Sequence, residues 1–84
     1  MRNYLRDVQI LVDKVRPFLT HGQLSDVDRL VHYGESAEGL NYVAWFIVDN
    51  KVQVPRQIIA EIKSLTEGLI APKDFPSNLD DFAC

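Results

Sequence analysis

The sequence predicts an all-α fold, a compact bundle of about four helices followed by a proline-containing C-terminal tail. Three observations lead there. Apolar residues recur at helical spacing in four separate segments. Pro17, Gly34, Pro55 and the Gly68/Pro72 pair fall between or at the ends of those segments. The 84 residues are enough for one domain, residues 1–84, with the tail from residue 71 loosely attached to it.

The first helix is expected from about Asn3 to Arg16. On a helical wheel Tyr4, Leu5, Val8, Leu11, Val12, Val15 and Leu19 share one side, and Arg6, Asp13 and Lys14 take the other. Pro17 ends it, because its ring clashes with the carbonyl four residues back. Thr20 to Gln23 then reads as a loop. A short second helix is expected from Ser25, with Asp28 as a weak capping-box partner. Leu24, Val27, Leu30 and Val31 share its inner side, and Gly34 suits its C-terminal cap.

The third helix is expected from Glu35 or Ser36 to Asp49, with Ser36 as N-cap and Glu38 favourably placed in the first turn. Ala37, Leu40, Val43, Ala44, Ile47 and Val48 form its apolar face. Lys51–Val54 is a linker whose alternation would suit a short strand, without an obvious second strand to pair with. The fourth helix starts at Pro55, a favoured first helical position. Pro55, Ile58, Ile62, Leu65 and Leu69 form its stripe, with Ile59 on the flank. The tail carries Phe75, Leu79 and Phe82 between prolines, with room for a single turn over Asn78–Phe82. These residues dock on the helices, or fold over only when a partner is present.

Composition narrows the chemistry. The net charge is −3 and the charge is uneven. Residues 1–17 hold four basic and two acidic residues, whereas residues 18–50 hold Arg29 alone against Asp26, Asp28, Glu35, Glu38 and Asp49. Nucleic-acid binding leaves a basic footprint, and this chain has none. A helix-turn-helix reading fails for the same reason, since residues 36–49 contain no basic side chain. The single cysteine, Cys84, allows neither an internal disulfide nor a thiolate zinc site, which suits the cytoplasm. No apolar run is long enough to span a membrane, and charges interrupt the apolar residues at the start, MRNYLRDVQI, as they do not in a secretory signal. His21 and His32 lie on different segments without metal-site spacing. Nucleophile-elbow, P-loop and dinucleotide-binding patterns are lacking as well. The expectation is a protein without enzymatic activity, cofactor or metal.

The informative feature is the outer side of the third helix. Roughly opposite Leu40 lie Glu38, Tyr42, Trp45, Phe46 and Asp49, with Glu35 extending the set upstream. Aromatic anchors rimmed by charge are what protein interfaces use as hot spots. The competing expectation is that Trp45 and Phe46 are core beneath the tail. The carboxylates oppose complete burial of this face, because an unpaired buried charge is costly. The candidate partner-binding residues are therefore Glu35, Glu38, Tyr42, Trp45 and Asp49, with Asp26, Asp28, Asp80 and Asp81 as further candidates.

His32-Tyr33-Gly34-Glu35, the helix ending near Asp49, the short linker and the stretch VPRQIIAEIKSLTEGL at residues 54–69 form a recognisable series. This series resembles small bacterial immunity proteins of the Maf and contact-dependent growth inhibition toxin systems. The resemblance covers roughly residues 24–70. Tyr33 is inserted into the family's HGE-like turn, and Trp45 and Phe46 are bulkier than its usual residues. The resemblance implies a cytoplasmic immunity protein that binds a cognate toxin domain and occludes its active or substrate-binding site. It implies that the toxin is often a nuclease. The acidic bias here would suit a basic one, imitating nucleic-acid charge and speeding association. The alternative is a small helical adaptor or structural subunit that homodimerises or binds another protein.

Overall fold

The computed structural model describes residues 3–84. It is an all-α bundle of four helices: α1 (Tyr4–Val15), α2 (His21–His32), α3 (Ser36–Asp49) and α4 (Arg56–Thr66). Short 3-10 turns cover Arg16–Phe18, Pro72–Asp74 and Leu79–Phe82.

Each helix ends where local chemistry ends it. Asn3 caps α1, its Oδ1 accepting the Arg6 amide at 3.0 Å. Pro17 converts the end of α1 into a 3-10 turn. α2 begins four residues earlier than the Ser25 start expected from sequence. Thr20 is the cap: its hydroxyl accepts the Gln23 amide at 3.2 Å, and Gln23 Oε1 accepts the Thr20 amide at 2.8 Å. That reciprocal capping box outcompetes Ser25 with Asp28, because a Gln side chain reaches back where Asp is too short.

α2 ends in a Schellman motif with Gly34 left-handed at φ 81°. The Gly34 amide bonds Val31 O at 3.1 Å and the Glu35 amide bonds Leu30 O at 2.8 Å. Glu35 then serves as the cap residue of α3, without a side-chain cap bond. Ser36, expected as the N-cap, is instead the first helical residue and is buried. Only Tyr33, Gly34 and Glu35 separate the two helices, and Glu35 both closes the motif that ends α2 and caps α3.

α4 follows Pro55, which stands one position before the helix and is exposed. Ile58, Ile59, Ile62 and Leu65 are buried, but Leu69 is 59% exposed. Leu69 fits the stripe only if the helix continues, and it stops at Thr66, with Gly68 left-handed at φ 77°.

The core is built around α3, which packs against α1, α2, α4 and the final 3-10 turn. Its Leu40, Val43, Ala44 and Ile47 meet Val8, Leu11, Val12 and Val15 of α1, Val27 of α2 and the isoleucines of α4 in one cluster. Gly39 faces α2, where an added Cβ would make ordinary contacts 3.4 Å from Val31 and 3.5 Å from Leu30. Tyr4 ties α1 to α4, its hydroxyl donating to Leu65 O at 2.7 Å. That carbonyl lies in the last turn of α4, where the helix itself supplies no donor.

The tail is docked. Leu79 and Pro76 are buried, and Phe75, Phe82 and Ala83 are half-buried. The linker finds its strand partner here: Val54 pairs with Ala83 in one isolated parallel bridge. The Val54 amide donates to Phe82 O at 3.0 Å and the Cys84 amide donates to Val54 O at 2.9 Å. Among the described residues, no helix is long and apolar enough to cross a membrane.

Candidate protein-binding face

With α2, α1/α4 and the tail around it, α3 has one side left. Glu35, Glu38, Tyr42, Trp45 and Asp49 recur every three or four residues, so they line that side. At 1.5 Å per residue the strip is about 21 Å long. Glu35, Glu38 and Asp49 are exposed, Trp45 is 39% exposed, and Tyr42 and Phe46 are half-buried.

The two ring systems lean to opposite flanks. Tyr42 points to α2, its hydroxyl donating to Asp26 Oδ2 at 3.3 Å. Burial raises the Tyr42 phenol above its ordinary pKa, and the Asp26 charge and hydrogen bond raise it further. Trp45 points to the tail, its Nε1 donating to Asp74 O at 2.8 Å. Asn41 Nδ2 donates to the same carbonyl at 3.3 Å. Trp45 is therefore neither sealed core nor wholly free. Its hydrogen-bond donor is engaged inside the chain, and its remaining exposed surface is available for contact.

The carboxylates divide into two groups. Asp26 lies 3.4 Å from Arg29, Asp28 lies 3.5 Å from Arg16, and Asp80 lies 2.8 Å from Lys63. Arg16 is shared with Asp13 at 2.9 Å, a hydrogen bond that holds the guanidinium still more firmly in its charged form. Glu35, Glu38 and Asp49 make no ion pair among the described residues, and α3 supplies no basic side chain of its own. The structure thus brings Glu35, Glu38, Tyr42, Trp45 and Asp49 together and joins Asp26 to them through Tyr42. Asp28 instead lines a groove between α1 and α2, and Asp80 is held to α4. Asp81 is exposed in the last 3-10 turn.

Asn41 and Asp74 are neighbours of this strip that sequence reasoning missed. Asp74 is 29 residues from Trp45, and it contributes a backbone oxygen that no residue pattern can announce. The arrangement is suited to recognition by charge and aromatic surface. Among the described residues no group of three or more His, Cys, Asp and Glu side chains converges as a metal site would require. A groove of about 480 Å³ between α1 and α2 carries Asp13, Arg16, Asp28 and His32 on an apolar floor of Leu5, Val12 and Val31. A second groove, about 740 Å³, runs from the end of α4 along Leu69, Ile70, Pro72 and Phe75. Neither groove has a charge pattern that selects an occupant.

No known protein family, curated protein or solved structure matches this chain.

Proposed function

We propose that this chain is an immunity-type protein that uses the outer side of α3 to bind and neutralise a toxin domain of basic charge, a nuclease in the simplest case. The observation that carries the proposal is Asp49. A carboxylate in the last turn of a helix opposes the helix dipole and is mildly destabilising. Asp49 occupies that position without an ion pair among the described residues. An acid placed where the helix dipole disfavours it, with no ion pair of its own, is free to meet a partner of opposite charge.

Glu35 and Glu38 extend the same charge along the strip, and Trp45 adds aromatic surface beside them. A basic partner gains on-rate from the field of the carboxylates and affinity from desolvating the indole. Lys or Arg side chains over the ring face would add a cation–π contact, since the indole N–H is already engaged. The strip argues against a second copy as its occupant. A two-fold interface is self-complementary, so it would set carboxylates against carboxylates.

The test is co-expression with the product of the adjacent upstream gene, followed by association kinetics on the purified pair. Glu38→Lys with Asp49→Lys should slow association at least tenfold at low salt, with unchanged helicity. Equal association rates for the wild type and the double variant would remove the acidic strip from the mechanism. A concentration-dependent dimer that protects Trp45 from quenchers would favour the adaptor reading instead.

A further inference from the structure

We infer that the C-terminal segment, residues 71–84, is a strap that opens as a unit from an intact four-helix bundle, and that its closed state sets the orientation of Trp45. The inference concerns regulation of the face just proposed, but the opening itself does not depend on that face having a partner.

The strap is attached differently from the rest of the chain. It contains 3-10 turns only, which rest on short local hydrogen bonds. Of the fifteen buried hydrophobic residues in the core cluster it contributes Leu79 alone, with Pro76 buried beside it and Phe75, Phe82 and Ala83 half-buried against the cluster. Its polar attachments are the Val54–Ala83 bridge, the Lys63–Asp80 pair and the Asp74 carbonyl beneath Trp45 and Asn41.

One polar atom adds a cost to the closed state. Asn41 uses its Nδ2 to hold the strap, and its Oδ1 is buried without a hydrogen-bond partner among the described residues. A buried acceptor left unmade is costly, and strap opening would return it to water. Opening would also take the acceptor from the Trp45 indole N–H and free the ring to turn. Segments that open below the global unfolding free energy bury less than the rest of the fold, and this one buries only Leu79 and Pro76 fully.

Trp45 is the chain's single tryptophan, so its emission reports the strap directly. Hydrogen exchange on the full wild-type chain supplies the second readout. The Val54 amide is bonded to the strap, whereas Ile47 and Ile62 are buried within α3 and α4. The Val54 amide should exchange at least tenfold faster than the amides of Ile47 and Ile62. Leu79→Ala should raise acrylamide quenching of Trp45 and speed exchange of Val54, Ile47 and Ile62 by about the same factor, because the contact it deletes is absent from both the opened and the unfolded state. Val54 therefore stays at least tenfold the fastest of the three. Exchange of Val54 at the rate of Ile47 and Ile62 in the wild type would overturn the inference, because the strap would then open only with the whole fold. So would a Leu79→Ala variant in which Ile47 and Ile62 accelerate while Val54 does not, or in which Trp45 quenching stays unchanged. None of these readings uses the toxin domain, so failure of the binding proposal leaves them intact.

Discussion

Trp45 donates its indole proton to the backbone carbonyl of Asp74 across 2.8 Å, and Asn41 donates to the same oxygen across 3.3 Å. The two donors are not equivalent. Trp45 loses a good hydrogen bond when replaced by Phe, with part of its packing retained. A net loss of about 1 kcal/mol is expected. Asn41→Ala removes the longer bond but also removes the unpartnered Oδ1, so these effects offset. Its stability should stay within about 0.5 kcal/mol of wild type. Urea denaturation of both variants checks the ordering. A larger loss for Asn41→Ala than for Trp45→Phe would contradict it.

The ends of α3 carry acids of opposite consequence. Glu38 sits in the first turn, where the helix dipole favours a negative charge, and Asp49 in the last, where it does not. Asp49→Lys should stabilise the chain by about 0.3–1 kcal/mol, and Glu38→Lys should destabilise it by a similar amount. Both effects should shrink in 1 M salt, where screening is nearly complete beyond about 3 Å. Thermal melts of the two single variants at low and high salt measure this. Destabilisation by Asp49→Lys would show that the residue serves the fold, and the argument for its role in binding would lose its support.

The helical architecture was legible in the sequence because it rests on local patterns. The inner faces of α1, α3 and α4 follow from apolar spacing, and Pro17 and Gly34 mark ends in the way their backbone chemistry dictates. The errors came where two local signals competed, as at Thr20 against Ser25, or where a helix stopped short of its pattern, as at Leu69. The outward strip was legible for the same periodic reason. Its flanks were not: Tyr42 to Asp26 spans 16 residues and Trp45 to Asp74 spans 29, and both contacts depend on how separate segments pack. The linker's partner was hidden likewise, because the tail that pairs with Val54 carries no strand pattern of its own.

α2 and α3 end in the same motif with different residues at its left-handed position. Gly34 holds φ 81° after α2, and Lys51 holds φ 54° after α3. The Lys51 amide bonds Val48 O at 3.3 Å and the Val52 amide bonds Ile47 O at 3.0 Å, matching the pair at Gly34 and Glu35. A side chain in this conformation costs roughly 1 kcal/mol, and glycine relieves it. Lys51→Gly should therefore stabilise the chain by a few tenths to about 1 kcal/mol, the gain reduced by glycine's greater freedom in the unfolded chain. Gly34→Ala should destabilise it by about 1 kcal/mol, although open space surrounds the position. Opposite signs for the two substitutions in urea titrations are the expected result, and a loss at Lys51→Gly would contradict the strain argument.

Tyr4 and Tyr42 make stability fall on the alkaline side. Burial raises both phenols above their ordinary pKa of about 10, with the Asp26 charge as a second cause at Tyr42. In the unfolded chain the phenols ionise first, so above pH ~10 the folded state binds more protons than the unfolded one. The stability linked to the raised pKa values is thus complete below pH ~10 and is lost as the pH climbs through the folded-state values. Tyr42→Phe removes one of the two groups and should make the decline above pH ~10 shallower, whatever it does to stability at neutral pH. Tyr4→Phe should do the same, and the double variant should flatten the decline further. Urea midpoints across that range, read beside phenolate absorbance of the folded chain, provide the comparison. A decline as steep in the double variant as in the wild type would assign alkaline unfolding to other groups.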